Sequence, residues 1–483
     1  MKKLILVCSI FMAFSCHKTG TTTSPITLTN TTDTIPEIGG TVPLTFTSNA
    51  AWTIDTTGLS WLQLSQSSGN SGNATIKLTA PENSSGTSRS VLLTINFAND
   101  QSRRVTVIQL PPIFPSYNTS PIAADPSGMS STAAQLVADM KLGWNLGNSL
   151  EAPGGETGWG NPVITQALID LVKSSGFNAI RIPCAWNGHA NQTTGAIDTA
   201  WLSRVKQVVQ YCVNDGMYIL LNDHVNDGWL DCTATGAKLD TIKAKQRAYW
   251  EQIATEMRDF DEHLMFASAN EPNATDLPSS TLLENYHQIF INAVRSTGGK
   301  NAYRTLVIQA PSTSVNLADY FIGVPGMPVD PIPNKLVLEV HWYSPPNFAI
   351  LSADASWGNE WCFWGANYHS QDMPARNATA NTEESFIDST WSYMKSRFVK
   401  NNIPVLIGEM GVPRHNATLT GNPADSILSL NSRSHFFRYV TQSARNNGIP
   451  LFLWDAYYDL IDRQNNVIYD QQALDSLRAG AGL

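Results

Sequence analysis

Residues 129–483 are predicted to form a closed (β/α)8 barrel, an α/β fold, and residues 25–110 a small all-β, immunoglobulin-like sandwich in front of it. Three observations carry that prediction. After residue 129, eight short apolar runs alternate with amphipathic segments. Strands that are apolar almost throughout belong in parallel sheets covered on both faces. Before residue 110, short alternating runs rich in Thr, Ser, Asn and Gly recur at regular spacing, as in a sandwich. A chain of 483 residues has room for both, since a domain takes roughly 100–200 residues. A doubly wound open sheet is the alternative for the second region. No GxGxxG or GxxxxGK[ST] follows its first run, so a nucleotide site lacks support.

The elements follow in chain order. Lys2 and Lys3 precede an apolar run from Leu4 to Phe14, then Ser15 and Cys16, which reads as an export signal over residues 1–15. The run is too short for a membrane span, which needs ~20 apolar residues. Ala13-Phe14-Ser15-Cys16 resembles a bacterial lipobox with Cys16 as the lipidated residue. The expectation is an exported protein held by lipid at the outer membrane or cell surface, with a periplasmic or secreted protein as the alternative. The sandwich strands are centred on Val42–Thr47, Thr75–Thr79, Ser90–Ile95 and Arg104–Ile108. Residues 111–128 carry Pro111, Pro112, Pro115, Pro121 and Pro126 and read as a semi-rigid linker.

The barrel runs are Leu142–Leu146, Ala179–Ile182, Tyr218–Leu221, Leu264–Ala267, Leu306–Gln309, Leu336–Val340, Pro404–Ile407 and Pro450–Leu453. Helical patterns fall at Ile164–Ser175, Thr199–Asn214, Lys243–Phe260, Leu282–Arg295, Glu384–Lys400 and Ser434–Asn446. The segment after Gln309 has the weakest helical pattern.

Composition narrows the partner. The formal net charge is −9 and charged residues make up 15%, against about 25% in an average soluble chain. Nucleic acid and an anionic membrane surface are poor partners for such a chain. Neutral polymers suit it better, and its 14 Trp offer flat apolar faces.

In a (β/α)8 barrel, reactive groups sit at the C-terminal ends of the strands. Those ends here are Gly143-Trp144-Asn145-Leu146-Gly147-Asn148, Arg181-Ile182-Pro183, Asn222-Asp223-His224, Asn270-Glu271-Pro272, His341-Trp342-Tyr343, Gly408-Glu409-Met410 and Trp454-Asp455. Each singly has an ordinary structural explanation. Asp223, Asp227 and Asp455 in particular read as helix or turn caps rather than as metal ligands. Polar or aromatic groups at seven strand ends together do not. Glu271 and Glu409 each follow an apolar strand, and glycoside hydrolysis needs two carboxyl groups with opposed protonation. Arg181 is a fixed cation able to hold one of them ionised, and Tyr343 a hydrogen-bond donor to the same group. Asn270 suits a sugar hydroxyl, and Trp454 the floor under a sugar ring.

Two resemblances follow from these stretches. Ala51-Trp52-Thr53-Ile54, Trp61-Leu62-Gln63-Leu64-Ser65, Ser68-Gly69, Arg89 and Val107-Ile108-Gln109 resemble the BACON domain. Trp52 and Trp61 are expected in its core, and the domain is read as a spacer. The six barrel stretches Gly143–Asn148, Glu156 with Trp159-Gly160-Asn161-Pro162, Gly176–Pro183, Asn270–Pro272, His341–Tyr343 and Ile407–Glu409 resemble glycoside hydrolase family 5, and the first two its subfamily 4. That resemblance implies Glu271 as acid/base, Glu409 as nucleophile, and Arg181, His224, Asn270, His341, Tyr343 and Trp454 as further active-site residues. It implies no cofactor, and the reading of the loop Asp residues as caps leaves no metal expected. Many members carry a second His after strand 3, where this chain has Val225.

The implied activity is retaining, internal cleavage of β-1,4-glucans: cellulose, mixed-linkage glucan and xyloglucan. A retaining pair should lie about 5–5.5 Å apart, with Arg181 and Tyr343 on Glu409 and no close cation on Glu271. Asn148, Trp159, His189 and Trp342 are expected to bind substrate, and Trp186, Trp229, Trp357, Trp361 and Trp364 lie on loops that wall a cleft. A β-mannan-cutting relative and a non-catalytic glycan-binding lipoprotein are the competing readings, and the intact Glu271 and Glu409 argue against the second. The β-glucan is the expected partner of a monomer, with no nucleic acid and no membrane contact beyond the lipid. Of the remaining cysteines, Cys232 and Cys362 fall in expected loops, and their spacing does not decide between a bridge and free thiols.

Overall fold

The computed structural model describes residues 26–83, 85–224, 228–415, 418–455 and 459–483. Two compact units divide at Pro112 and Ile113.

The first unit is a sandwich of two sheets, one ordered Thr27–Leu28, Gly40–Ser48, Gly72–Ala80, Gln63–Leu64, the other Thr32–Ile35, Ser102–Gln109, Arg89–Phe97, Trp52–Ile54, Ser68–Gly69. Strict alternation buries one face of each strand: Ala74, Ile76, Leu78 and Ala80 point inward, as do Leu93, Ile95 and Phe97. Trp52 is core and meets Phe46 edge-on, ring centroids 5.0 Å apart. Gly69 is bare because a Cβ there would stand 2.5 Å from the Trp52 ring. Trp61 is only half-buried, under the Arg89 guanidinium at 4.8 Å.

The second unit is a closed parallel barrel of eight strands: β1 Gly143–Asn145, β2 Ala179–Ile182, β3 Tyr218–Asn222, β4 Leu264–Ala267, β5 Leu306–Gln309, β6 Leu336–Trp342, β7 Val405–Met410 and β8 Leu451–Leu453. Its helices include Gln166–Ser174, Thr199–Asn214, Gly236–Met257, Leu277–Ser296, Glu384–Arg397 and Pro423–Asn446. Three helices begin earlier than the apolar periodicity implied, at Gly236, Leu277 and Pro423, and for the last two the caps explain it. Asp276 accepts from Ser279 N–H with Pro278 in the first turn, and Asn422 accepts from Asp425 N–H ahead of Pro423. After Gln309 there are only two short 3₁₀ turns, Pro311–Thr313 and Ala318–Phe321.

The Pro-rich segment, expected to be a semi-rigid linker over residues 111–128, instead belongs to the barrel unit from Ile113 onward. Phe114 is buried on Ala244 and Ala248, and its carbonyl accepts from Arg247 Nη2 at 3.0 Å. Glu251 Oε2 accepts from Tyr117 N–H at 2.6 Å and Asn118 N–H at 3.2 Å. Ile122–Ala124 pairs with Gly298–Gly299 as a two-stranded parallel ladder. Prolines set its backbone angles, but one aromatic ring and a carboxylate below it decide where it lies.

Inside the barrel, inward side chains stack in layers. The floor is apolar: Ala179, Leu220, Met265, Val307, Val337, Leu406 and Phe452 form one cluster with the helix Ala133–Asp139. One level up the inward positions turn polar, with Asn145, Arg181, Asn222, Gln309 and Glu339 all buried. β7 carries an extra residue at this height: Val340 is level with Ile407, but His341 is level with Glu409. Such a bulge re-aims the next side chain. Gly408 takes the inward position beside Glu339, where a Cβ would lie 1.9 Å from Glu339 Oε1, and Glu409 is swung into the barrel mouth.

Cys232 and Cys362 are free and buried in separate apolar clusters, so the bridge left open by their spacing is not formed.

Candidate active site

Glu409 ends up low in the mouth with its side chain 7% exposed, between two donors. Arg181 Nη1 donates to its Oε1 at 2.8 Å and the Tyr343 hydroxyl to its Oε2 at 2.9 Å. Burial, then the Glu409 charge, push the Tyr343 phenol well above its ordinary value, so it remains a donor. Arg181 is itself fully buried. Its Nε lies 2.9 Å from Glu339 Oε1, its Nη1 also donates to Asn145 Oδ1 at 3.0 Å, and its Nη2 to Asn270 Oδ1 at 2.5 Å.

Glu271 faces it from the end of β4, its side chain 51% exposed to the cleft. Its backbone is in the left-handed region, φ +35°, which costs a non-glycine residue about 1–3 kcal/mol. The turn is held by Ala274 N–H and Ser312 N–H, which both donate to the Pro272 carbonyl, at 2.7 and 3.1 Å. An oxygen of Glu271, one of Glu409 and a ring nitrogen of His341 all lie within 4.8 Å of one another.

The expectation that Glu271 lacks a close cation is corrected by the structure. His341 Nδ1 is 2.9 Å from Glu271 Oε1 and 3.6 Å from Glu409 Oε2, and its Nε2 is 3.3 Å from Glu339 Oε1. Burial pulls the imidazole down, but Glu409, Glu271 and Glu339 outweigh it and raise His341 to about 9. For Glu271, burial raises the carboxyl, but the hydrogen bond and charge of His341 bring it below its ordinary value. The three carboxylates around it thus favour the imidazolium form of His341.

Other expected residues fall around this core. His224 is buried, its Nδ1 3.3 Å from Asn222 Nδ2, and burial followed by the charges of Arg181 and His341 hold it far below its ordinary value, hence neutral. Its ring is stacked at 5.9 Å on Trp454, which is half-buried. A cavity of about 420 Å³ opens here, lined by Glu271, Tyr343, Glu409 and Trp454 and running on past Val412, Pro413 and Asp459.

The outer expectations fare unevenly. Trp159 and Trp357 are exposed, at 50% and 57%. Asn148 has φ +59° and is tied by its backbone N–H to the Glu151 carboxylate and by its carbonyl to Asn161 Nδ2 at 2.5 Å. His189 is half-buried and stacked flat on Trp201 at 3.6 Å. Trp342 is a correction. It alternates with His341 and Tyr343, so its ring turns out of the barrel onto Trp391 at 4.9 Å and Phe386 at 5.7 Å. Trp186 and Trp364 are fully buried loop core. Asp455 is spent on the loop behind β8, accepting from Leu460 N–H, Ile461 N–H and Trp144 Nε1. Val225, Asp227 and Cys16 lie outside the described residues.

Three residues that sequence reasoning did not select complete the site: Asn145, Gln309 and Glu339. Glu339 had a readable signal, since it is the one charge in an apolar run and shares the inward parity of His341 and Tyr343.

This is a (β/α)8 enzyme whose mouth presents two carboxyl groups to an open cleft. Residues 145–459 match the model of the cellulase family, glycosyl hydrolase family 5, and residues 50–110 match the BACON model, a putative N-terminal binding domain. The chain belongs to glycosyl hydrolase family 5. It is 32% identical over 452 residues to a xyloglucan-specific endo-β-1,4-glucanase of Bacteroides ovatus, an alignment covering 89% of this chain and 86% of that one. It is 34% identical over 347 residues to endoglucanase B of Clostridium cellulovorans, covering 68% and 69%. Among solved structures, a Bacteroides ovatus family 5 xyloglucanase with a XXXG heptasaccharide superposes with TM-score 0.69 at 29% identity, covering 95% of this chain and all of that one. A xyloglucan-specific β-1,4-glucanase from a ruminal metagenomic library gives 0.67 at 36%, covering 73% and 96%.

Proposed function

We propose that Glu271 is the acid/base and Glu409 the nucleophile of a retaining endo-β-1,4-glucanase whose preferred backbone is xyloglucan. The carrying observation is the carboxylate pair. Its oxygens approach within 4.8 Å, the short spacing of a double displacement rather than the ~6.5–9.5 Å of an inverting site. The environments divide the roles. Glu409 is sunk against Arg181 and Tyr343, ready to attack the anomeric carbon as an anion. Glu271 is open to the cleft, where a leaving oxygen would arrive, and His341 stands behind it. Trp454 and the cavity beyond it suit a sugar ring on the nucleophile's side.

The xyloglucan preference rests on the xyloglucan-specific relatives, one of which aligns over most of both units. A reducing-sugar panel on xyloglucan, barley β-glucan, carboxymethylcellulose and mannan tests it. The fastest initial rate is expected on xyloglucan, with viscosity falling before reducing ends accumulate. A fastest rate on mannan would replace the substrate reading, and early release of only glucose or cellobiose the internal mode of cutting.

Export and lipidation at Cys16 belong to the same proposal, and among the described residues no helix is long and apolar enough to cross a membrane. Cys16→Ala should release the protein from membranes and end palmitate labelling.

A further inference from the structure

We propose that Glu339 is a positioning residue for the acid step: it holds His341 so that the imidazole stores the proton that Glu271 delivers to the leaving oxygen. The inference rests on the assignment of Glu271 as acid/base and adds a residue to it.

The geometry makes Glu339 the hub of the buried layer. Its side chain has no exposed surface. One oxygen, Oε1, lies in ion-pair contact with Arg181 Nε at 2.9 Å and is 3.3 Å from His341 Nε2. The other accepts from Gln309 Nε2 at 2.6 Å. The neighbouring strand is shaped to admit it, because any side chain at 408 would collide with Oε1. An isolated buried carboxylate is costly, so a carboxylate kept here is expected to be paired on every side.

With Nε2 committed to Glu339, only Nδ1 is left to face Glu271. This is the logic by which a buried carboxylate orients a histidine toward its partner in other catalytic arrays. The charged or titratable groups facing the imidazole are Arg181 from β2, His224 from β3, Glu271 from the end of β4, Glu339 from β6 and Glu409 from β7, with Tyr343 on the far side of Glu409 as its donor. Three carboxylates stand against Arg181 and one further positive charge. The imidazolium supplies that charge, while His224 stays neutral.

The proton inventory closes around this arrangement. His341 starts with a proton on each nitrogen. The Nδ1 proton passes to Glu271, leaving a neutral imidazole whose Nε2–H still donates to Glu339. Glu271 then gives that proton to the leaving oxygen as its bond to the anomeric carbon breaks and Glu409 forms the new one. In the second half Glu271 takes a proton from the attacking water, the bond to Glu409 breaks, and the proton returns to Nδ1.

The test is the pH dependence of kcat/KM on a soluble β-glucan. Glu339→Gln keeps the size and can still bond Gln309 but loses the charge. Its basic limb should fall by about one pH unit or more. Glu339→Asp keeps the charge and should keep the basic limb near its original place even where it costs thermal stability. A basic limb unmoved in Glu339→Gln overturns the proposal. A second measurement needs no variant of Glu339. In ¹⁵N-histidine NMR of the wild-type chain, the His341 signal, assigned by its loss in His341→Asn, should show both ring nitrogens protonated at neutral pH. A neutral imidazole there also overturns it. Glu271→Gln separates the two levels: full polysaccharide activity in that variant would sink the acid/base assignment itself. A dead Glu271→Gln with an unmoved Glu339→Gln limb would sink only the role of Glu339.

Discussion

The floor and the mouth of the barrel are built from the same eight strands and obey opposite rules. Leu220, Met265, Val307, Val337, Leu406 and Phe452 fill the floor with methyl groups and one ring, and every contact there favours folding. Two residues further along the same strands stand Asn222, Gln309, Glu339 and Gly408, joined by Arg181, His341 and Glu409. Buried ions are replaced by hydrocarbon at little cost or at a gain in most folds. Their retention in one layer, directly above a layer that has none, separates what the barrel needs to exist from what it needs to react.

Substitutions can break that contrast from either side. Glu409→Gln should lower turnover on every substrate by at least about 10⁴-fold, while the melting temperature moves little because Arg181 keeps Glu339. Glu271→Gln should cost about 10²–10⁴-fold on polysaccharide and far less on an aryl glycoside with a good leaving group. Azide should rescue Glu271→Ala with a β-configured azide product, and an α-configured product would mean the roles are misassigned. On the floor, Met265→Ala should do the reverse, losing about 2–5 kcal/mol of stability in denaturant with kcat unchanged at temperatures where it stays folded.

His341 links the two layers through pH. Its folded value, about 9, lies above the unfolded value near 6.5, so its contribution is present below about 6.5 and is lost as pH rises through 9. The loss amounts to about 3 kcal/mol, and urea unfolding of the wild type against His341→Asn across that window measures it. The smallest effect belongs to the rim. Trp357→Ala, at an exposed ring, should raise KM on polysaccharide a few-fold and leave an aryl glycoside untouched.

Much of this was legible in the sequence, for reasons that differ by residue. All eight strands announced themselves as apolar runs, and Glu271 and Glu409 stood out as charges directly behind such runs. Trp342 was misjudged because a list of strand-end residues ignores parity: with His341 and Tyr343 inside, the residue between them must face the helices. Glu339 was read through as part of its strand, since a single charge among apolar neighbours does not say whether it is paired. The docked segment from Ile113 depends on Phe114 finding Ala244 and Ala248 about 130 positions away, which local composition does not encode. The bulge in β7 left no pattern at all, because one added residue leaves the run equally apolar.

That added residue has a consequence for anyone recombining barrels of this kind. A half-barrel exchange that supplies a regular seventh strand would keep the Glu in the alignment and lose it in space. With one residue fewer, the side chain at 409 would face the helix layer, and the graft would fold, look complete by motif, and be inert. The transferable unit is therefore Ile407-Gly408-Glu409 together with a partner strand offset to match, not the glutamate.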